Sequence, residues 1–113
     1  MNKSFAVGRL KGGVMNKTEQ AYDAYLDGLK HHGDILWYKF EGLKFKLADN
    51  TTYTPDFSVM MADNSIELHE VKGHWQSSAR VKIKVAADMY PFKFVAIKAN
   101  AKKNGGGWSV EEF

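Results

Sequence analysis

The chain has 113 residues, of which 44% are apolar and 26% charged, with a formal net charge of +3 and no cysteine. This size and composition predict one globular domain with a single core rather than a disordered chain. The lack of cysteine excludes disulfides and thiolate metal sites and is typical of a reducing cytoplasm. No apolar run reaches the roughly 18 residues needed to cross a bilayer, so we expect no membrane partner.

The charges are distributed unevenly along the chain. Residues 1–17 carry four basic side chains and no acidic one, residues 18–71 have a net charge of −6, and residues 72–103 have a net charge of +7. An acidic centre between two basic segments suits a metal site within a surface that meets a polyanion. The charge pattern fits a solvated surface with chance asymmetry equally well.

The predicted elements follow a basic, glycine-containing arm at residues 1–15. In chain order they are a helix (16–30), four strands (36–40, 43–47, 52–60 and 65–72), a second helix (77–90) and a last strand (92–98). The first helix rests on Tyr22 and Leu26 at helical spacing, with Asn16 as its N-cap. Short turns at 41–42 and 62–64 indicate that the strands on either side pair as hairpins.

The order of elements predicts the fold class. The strand–helix–strand unit of residues 65–98 should be a parallel crossover, whereas the earlier hairpins are antiparallel. The fold class is therefore α/β, of the mixed α+β kind, with a central mixed β-sheet flanked by helices. We expect one domain over residues 1–113, with its core at 16–99. Residues 100–113 are predicted to form a glycine-rich flexible link and a short terminal segment.

Charged residues interrupt two of the predicted strands. Pro55-Asp56 opens one apolar run, and Glu70-Val71-Lys72 closes the next. Pairing of these strands through the 62–64 turn would bring Asp56 near Glu70, and Glu70 and Lys72 would leave the same strand face roughly 7 Å apart. Carboxylate oxygens are the ligands that a hard divalent cation such as Mg²⁺ selects, and a nearby lysine can hold a phosphate or a water.

This pattern resembles the PD-(D/E)XK nuclease superfamily, and within it the small phage Holliday-junction resolvases of the endonuclease I kind. The closer similarity covers residues 15–99 and rests on Tyr53-Thr54-Pro55-Asp56-Phe57 and on Glu70-Val71-Lys72-Gly73 with Trp75 just after. The resemblance implies a restriction-endonuclease-like core, branched DNA as substrate and a homodimer that cuts two strands symmetrically. It also implies the cytoplasm of a bacterium or of a phage-infected host cell.

Each residue of the central motif has a structural alternative. Asp56 could be a turn cap or a charge that protects an edge strand. Glu70 could form a simple ion pair, because a carboxylate on a packed face is costly unless it is paired or bound to metal. Lys72 could be the partner in that ion pair, since a structural and a catalytic lysine make the same local contact.

Glu19 on the first helix has two interpretations. It lies on the helix stripe that should face the sheet, and in the endonuclease I-like enzymes an acid of the first helix completes the metal site. The run Asn16-Lys17-Thr18-Glu19 also fits a capping box, in which Glu19 bonds back to the backbone of the cap. His69 leaves the strand face opposite Glu70, so it is predicted to be a packed or surface histidine rather than a ligand.

These residues predict a metal-dependent DNA endonuclease. Asp56, Glu70, the Val71 carbonyl and Glu19 would hold Mg²⁺ or Mn²⁺, and Lys72 would orient the attacking water or stabilise charge on the phosphate. The predicted DNA-binding residues are Lys11, Lys17, His74, Trp75, Arg80, Lys82 and Lys84. Two alternatives are a restriction or repair-type nuclease acting on linear DNA and a catalytically silent nucleic-acid-binding phage protein.

Overall fold

The computed structural model describes residues 13–73 and 77–113, with only the backbone described at Ser77. The elements in chain order are α1 (Lys17–His32), β1 (Ile35–Phe40), β2 (Phe45–Ala48), β3 (Thr51–Tyr53), β4 (Phe57–Met61), β5 (Ile66–Val71), α2 (Ser77–Met89), β6 (Lys93–Ala99), a 3-10 turn (Lys102–Asn104) and β7 (Trp108–Glu112). No helix in these two ranges is long and apolar enough to cross a bilayer.

Five strands form one mixed sheet in the order β1-β4-β5-β6-β7. The β5–β6 pair is parallel, and the other three pairs are antiparallel. Strands β2 and β3 form a separate antiparallel pair. The predicted mixed α/β class and the parallel crossover through α2 are therefore confirmed.

Helix α1 begins and ends at residues with clear local reasons. Asn16 caps its start, with a side chain that accepts the Glu19 N–H, and Gly33 ends it in the left-handed region at φ 85°. A residue without a Cβ adopts that conformation at little cost, and the Gly33 N–H bonds to carbonyls of the last turn. Tyr22 and Leu26 are buried against the sheet, which confirms the stripe that the sequence predicts.

Helix α1 covers one face of the main sheet, and α2 covers the other. Because neighbouring residues of a strand point to opposite faces, the same strands contribute to both cores. The core on the α1 side contains Tyr22, Leu26, Ile35, Phe57, Val59, Val71, Val95 and Ile97. The core on the α2 side contains Phe45, Tyr53, Leu68, Ile83, Ala86 and Phe94. The small β2–β3 sheet joins α2 in the second core, so that core is closed by a helix and a hairpin together.

The predicted hairpin between residues 36–40 and 43–47 is wrong. Strand β1 pairs with β4 instead, with Phe40 opposite Phe57, and β2 pairs with β3. The Glu41 N–H donates to the Asp56 carbonyl at 2.7 Å, which extends the β1–β4 ladder past the predicted turn. The chain therefore leaves the main sheet at Glu41, and Phe45 enters the core on the α2 side.

The predicted continuous strand 52–60 is also interrupted. Residues 54–56 separate β3 from β4, and Pro55 lies in this break. Proline has no N–H to donate to a sheet ladder, so a break is expected at this position. One predicted strand thus contributes to both sheets and places Asp56 at the point where the chain crosses between them.

Residues 100–113 were predicted to lie outside the core as a glycine-rich link and a short terminal segment, but they include a strand of the main sheet. Trp108–Glu112 forms the edge strand β7, in which Trp108 pairs with Ala99 and Glu112 with Val95. The three glycines before it all have positive φ, so they form a defined turn from β6 into β7. The core therefore extends beyond residue 99. Of the predicted basic arm, residues 1–12 lie outside the described residues.

Candidate functional site

Asp56, Glu70 and Lys72 meet where β4 begins and β5 ends. The β4–β5 register places Phe57 opposite His69, so Asp56, just before β4, lies beside Glu70. The predicted pairing through the 62–64 turn is confirmed. Asp56 and Glu70 are both buried, with 1% and 5% of their surface exposed. Two carboxyl groups and an ammonium therefore lie at one end of the main sheet.

The Asp56 carboxyl is bound by backbone of the opposite strand. Its Oδ2 accepts the Val71 N–H at 2.8 Å, and its own N–H donates to Glu70 Oε1 at 3.3 Å. Burial first, and then the charges of Glu70 and Glu19, raise the pKa of Asp56 to about 8, although the Val71 N–H and Lys72 act in the opposite direction. Burial and the neighbouring carboxylates therefore disfavour the charged form of Asp56 by more than its protein donors stabilise it.

Glu70 is held from two sides by protein donors. Its Oε1 accepts the hydroxyl of Tyr53 at 2.8 Å, and its Oε2 lies 3.1 Å from Lys72 Nζ. The ion pair that was one interpretation of Lys72 is therefore present. A catalytic lysine would make the same contact, so the role of Lys72 in catalysis stays a prediction.

Tyr53 belongs to the site, and the sequence analysis assigned it no role. It comes from β3 of the small sheet, and burial, followed by the charge of Glu70, raises the pKa of its hydroxyl. The hydroxyl therefore keeps its proton and acts as a donor to the carboxylate. The available signal was its place three residues before Asp56, because a buried acid pair needs donors and a tyrosine hydroxyl can supply one.

Of the two interpretations of Glu19, as a metal ligand or as part of a capping box, the structure shows the capping box. Its side chain accepts the Asn16 N–H at 2.9 Å, and the Asn16 side chain accepts the Glu19 N–H at 2.8 Å, so the capping box is confirmed. Glu19 is nevertheless buried, and its charge contributes to the raised pKa of Asp56. The cap thus fixes a third carboxylate within electrostatic range of Asp56. Its role as a metal ligand stays a prediction.

The carboxylate oxygens of Asp56, Glu70 and Glu19 are the kind of ligand that a hard cation prefers. Their positions in the structure, however, do not form a metal-binding cluster. Within residues 13–73 and 77–113, no three acidic or histidine side chains are arranged to hold a metal ion. Three of the four side-chain oxygens of Asp56 and Glu70 already contact protein donors. A cation held by Asp56, Glu70 and Glu19 would therefore need Lys72 to move from Glu70. The Val71 N–H bonds to Asp56, and the Val71 carbonyl as a ligand stays a prediction.

The predicted DNA-binding side chains have different surroundings. Lys17 and Lys84 are exposed, and Lys82 donates to the Thr52 carbonyl at 3.3 Å. Arg80 is not simply a solvated cation, because both of its terminal nitrogens contact the Glu111 carboxylate, at 3.2 and 2.5 Å. Lys11, His74 and Trp75 lie outside the described residues.

A second polar network lies on the opposite face of β5. His69 is buried, its Nδ1 is 2.7 Å from the Tyr22 hydroxyl, and its Nε2 is 3.0 Å from Glu67 Oε1. The prediction that His69 is packed rather than a ligand of the Asp56–Glu70 site is therefore confirmed for its position. The sequence analysis did not foresee Glu67 and Tyr22 as its partners.

Comparison of the chain with protein-family models, with curated proteins and with solved structures finds no match. Function must therefore be inferred from the residues of the site and from their geometry.

Proposed function

We propose that this chain is a metal-dependent DNA endonuclease with a restriction-endonuclease-like core. One observation carries the proposal: the buried Asp56 carboxyl lies beside Glu70 and near Glu19, while Lys72 Nζ is 3.1 Å from Glu70. Glu70 and Glu19 both repel negative charge on the buried Asp56, and a divalent cation would offset that repulsion. A purely structural site would gain stability from fewer like charges.

The residues of the site would bind the metal ion, contact the phosphate or water, and keep the ligands oriented. Asp56 and Glu70, with Glu19 and the Val71 carbonyl, would supply oxygen ligands to Mg²⁺ or Mn²⁺. The ion would lower the pKa of a water and offset negative charge on the phosphate. Lys72, released from Glu70, would contact the phosphate or orient the water. Tyr53 keeps Glu70 oriented through the change, because its hydroxyl binds the other carboxylate oxygen.

The substrate within this class is DNA with a branched structure, cut by a homodimer, as the resemblance implies. A related nuclease acting on linear duplex would use the same residues. The test is a cleavage assay with a four-way junction and a linear duplex, each with Mg²⁺ and with EDTA. We expect cleavage only with Mg²⁺ and preferentially of the junction. Equal cleavage of both substrates would favour the linear-DNA nuclease.

A catalytically silent nucleic-acid-binding protein is the second candidate. The observation that favours it is the saturation of Glu70, whose two oxygens both contact protein donors. Asp56→Asn separates the candidates, with Asp49→Asn at an exposed turn position as the matched control. Loss of Mg²⁺-dependent cleavage with preserved DNA binding would support the nuclease. Failure of the unsubstituted protein to cleave any DNA with Mg²⁺ or Mn²⁺ would overturn it.

A further inference from the structure

A cavity of about 360 Å³ opens beside Lys72, against strands β6 and β7. Its lining includes Lys72, Ala96, Lys98, Ser109 and Glu111. Ligand pockets in proteins range from about 300 to 1,000 Å³, so this volume suits one small unit such as a single nucleotide.

The cavity borders the Asp56–Glu70 site through Lys72, which lines the cavity and whose Nζ lies 3.1 Å from Glu70. Ala96, another lining residue, is the partner of Glu70 in the parallel β5–β6 register. The Lys72 N–H donates to the Ile97 carbonyl at 2.8 Å, which fixes the backbone of Lys72 against β6. A group bound in the cavity would therefore lie next to Lys72, which is the ion-pair partner of Glu70.

Two lysines lie side by side at the mouth of this cavity. Val71 pairs with Ile97 in the parallel register, so the next residues, Lys72 and Lys98, are neighbours on strands about 4.8 Å apart. Like charges at such positions repel. Lys72 has Glu70 as its partner, but Lys98 is exposed and makes no ion pair among the residues that the structure describes. An anion between the two ammonium groups would relieve their repulsion.

The Glu111 carboxylate would compete with such an anion for binding to Arg80. Its carboxylate lines the cavity and binds both terminal nitrogens of Arg80. A guanidinium accepts a phosphate in the same two-pronged geometry as a carboxylate. Glu111 therefore occupies on Arg80 the position that a phosphate oxygen pair would take, and its negative charge opposes anions in the cavity.

We propose that this cavity binds a nucleotide of a DNA strand next to the scissile phosphate, with Lys98 contacting the nucleotide's phosphate and Glu111 limiting its affinity. The inference rests on the proposed function and adds a residue, Lys98, that the sequence analysis did not select. The apolar side chain of Ala96 would contact the sugar or base, and the lysines would contact the phosphate. The shared chemistry is that of a nucleoside phosphate, either free or within a strand.

The first test locates the nucleotide without requiring cleavage. Thymidine 5′-monophosphate is titrated in EDTA into the uniformly ¹⁵N-labelled full chain, and amide shifts are followed. We expect the largest shifts at residues 96–98 and 109–111, with weaker binding by Lys98→Ala. Shifts confined to the exposed α2 side chains around Lys84, or no shifts up to millimolar nucleotide, would overturn the proposal.

The second test uses substitutions of opposite sign on a short single-stranded oligonucleotide, followed by fluorescence anisotropy in EDTA. Lys98→Ala should weaken binding about fivefold to tenfold and lower the salt dependence by about one phosphate contact. Glu111→Gln should tighten binding about threefold, because it removes a like charge and releases Arg80. Lys30→Ala, an exposed lysine in the last turn of α1, is the control and should change nothing.

The binding results for Lys98→Ala and Glu111→Gln test the nucleotide site independently of the proposed nuclease activity. Opposite effects of Lys98→Ala and Glu111→Gln support the nucleotide site, even where no cleavage of DNA is found. Equal binding by Lys98→Ala and the Lys30→Ala control overturns it, even where Mg²⁺-dependent cleavage is strong. Tighter binding of the free monophosphate than of the oligonucleotide would identify free nucleotide as the ligand and overturn the strand assignment.

Discussion

Strand β5 carries two tyrosine–carboxylate networks, one on each face, and they differ in how their charge is balanced. On the α1 face, the hydrogen bond from His69, with Lys93 nearby, holds the pKa of Glu67 below its usual value. On the other face, Tyr53 and Lys72 hold Glu70, yet the pKa of Asp56 is raised to about 8. The first network pairs its carboxylate with His69 and Lys93, whereas the second holds two carboxyl groups side by side in a buried position. A buried carboxyl with a strongly raised pKa is a candidate functional group.

The largest expected difference between the networks is in catalysis. Asp56→Asn should lower Mg²⁺-dependent cleavage by about a thousandfold, which corresponds to the roughly 4 kcal/mol of transition-state stabilisation that a bound metal typically supplies. Glu67→Gln removes a carboxylate from the other face and should change the cleavage rate less than threefold. The measurement is single-turnover cleavage of a labelled four-way junction. Comparable losses in both variants would show that the two networks are not functionally distinct.

The pH dependence of stability should have opposite sign on the two faces. The pKa of Asp56 is higher in the folded protein than in the unfolded chain, so its contribution is fully present below pH 3.8 and lost as the pH rises to about 8. Across this window in EDTA, the free energy of unfolding should fall by up to about 1.4 kcal/mol for each pH unit. Urea unfolding at several pH values measures this. Asp56→Asn should remove the fall, since the amide oxygen can still accept the Val71 N–H.

Glu67 provides the opposite case for the same measurement. Its pKa is lower in the folded protein, so its stabilisation is present above its unfolded value of 4.5 and lost as the pH falls below it. Glu67→Gln should remove this loss at acidic pH and leave the Asp56-dependent fall unchanged. A single shared pH profile for both variants would contradict the assignment of separate networks.

A tyrosine-to-phenylalanine change on each face should distinguish a metal-linked network from a structural one. Tyr53→Phe and Tyr22→Phe each remove a buried hydrogen bond, at a cost of about 1–3 kcal/mol in the free energy of unfolding. Millimolar Mg²⁺ should partly restore the stability of Tyr53→Phe, because a cation offsets the charge of Glu70. It should not change the stability of Tyr22→Phe. Thermal unfolding with Mg²⁺ and with EDTA measures both effects.

The smallest expected effect comes from the surface of α2. Lys84→Ala should weaken DNA binding only about twofold to fivefold and lower the slope of log affinity against log salt by about 0.9. Lys46→Ala, an exposed lysine that pairs with Asp49, is the control. Anisotropy titrations at several salt concentrations provide the slope. An unchanged slope for Lys84→Ala would remove it from the DNA-contacting surface.

Local sequence signals predicted the part of the fold that local interactions determine. The β4–β5 hairpin follows from a turn at 62–64 and two apolar runs, and the α1 cap follows from Asn16 and Glu19 at the spacing of a capping box. Because both features involve residues close in sequence, the residues alone were sufficient. The proximity of Asp56 and Glu70 then followed from the hairpin register.

The sequence patterns did not predict which strands pair when their residues are far apart in the chain. Nothing near Glu41 indicates that its N–H bonds to the Asp56 carbonyl, which sends β1 to β4 instead of to β2. Strand β7 was missed because its short sequence follows three glycines and exposes most of its side chains, as an edge strand does. Tyr53 escaped notice because its contact with Glu70 depends on how the small sheet packs against the main one.

The break at Thr54 and Pro55 has a mechanical consequence. Only these two residues separate Tyr53, at the end of β3 in the small sheet, from Asp56, just before β4 of the large sheet. A shift of the β2–β3 hairpin would be transmitted to both acids at once, to Glu70 through the tyrosine hydroxyl and to Asp56 through the covalent chain. Substitutions in that hairpin would therefore change the pKa values of Asp56 and Glu70 without replacing either carboxylate.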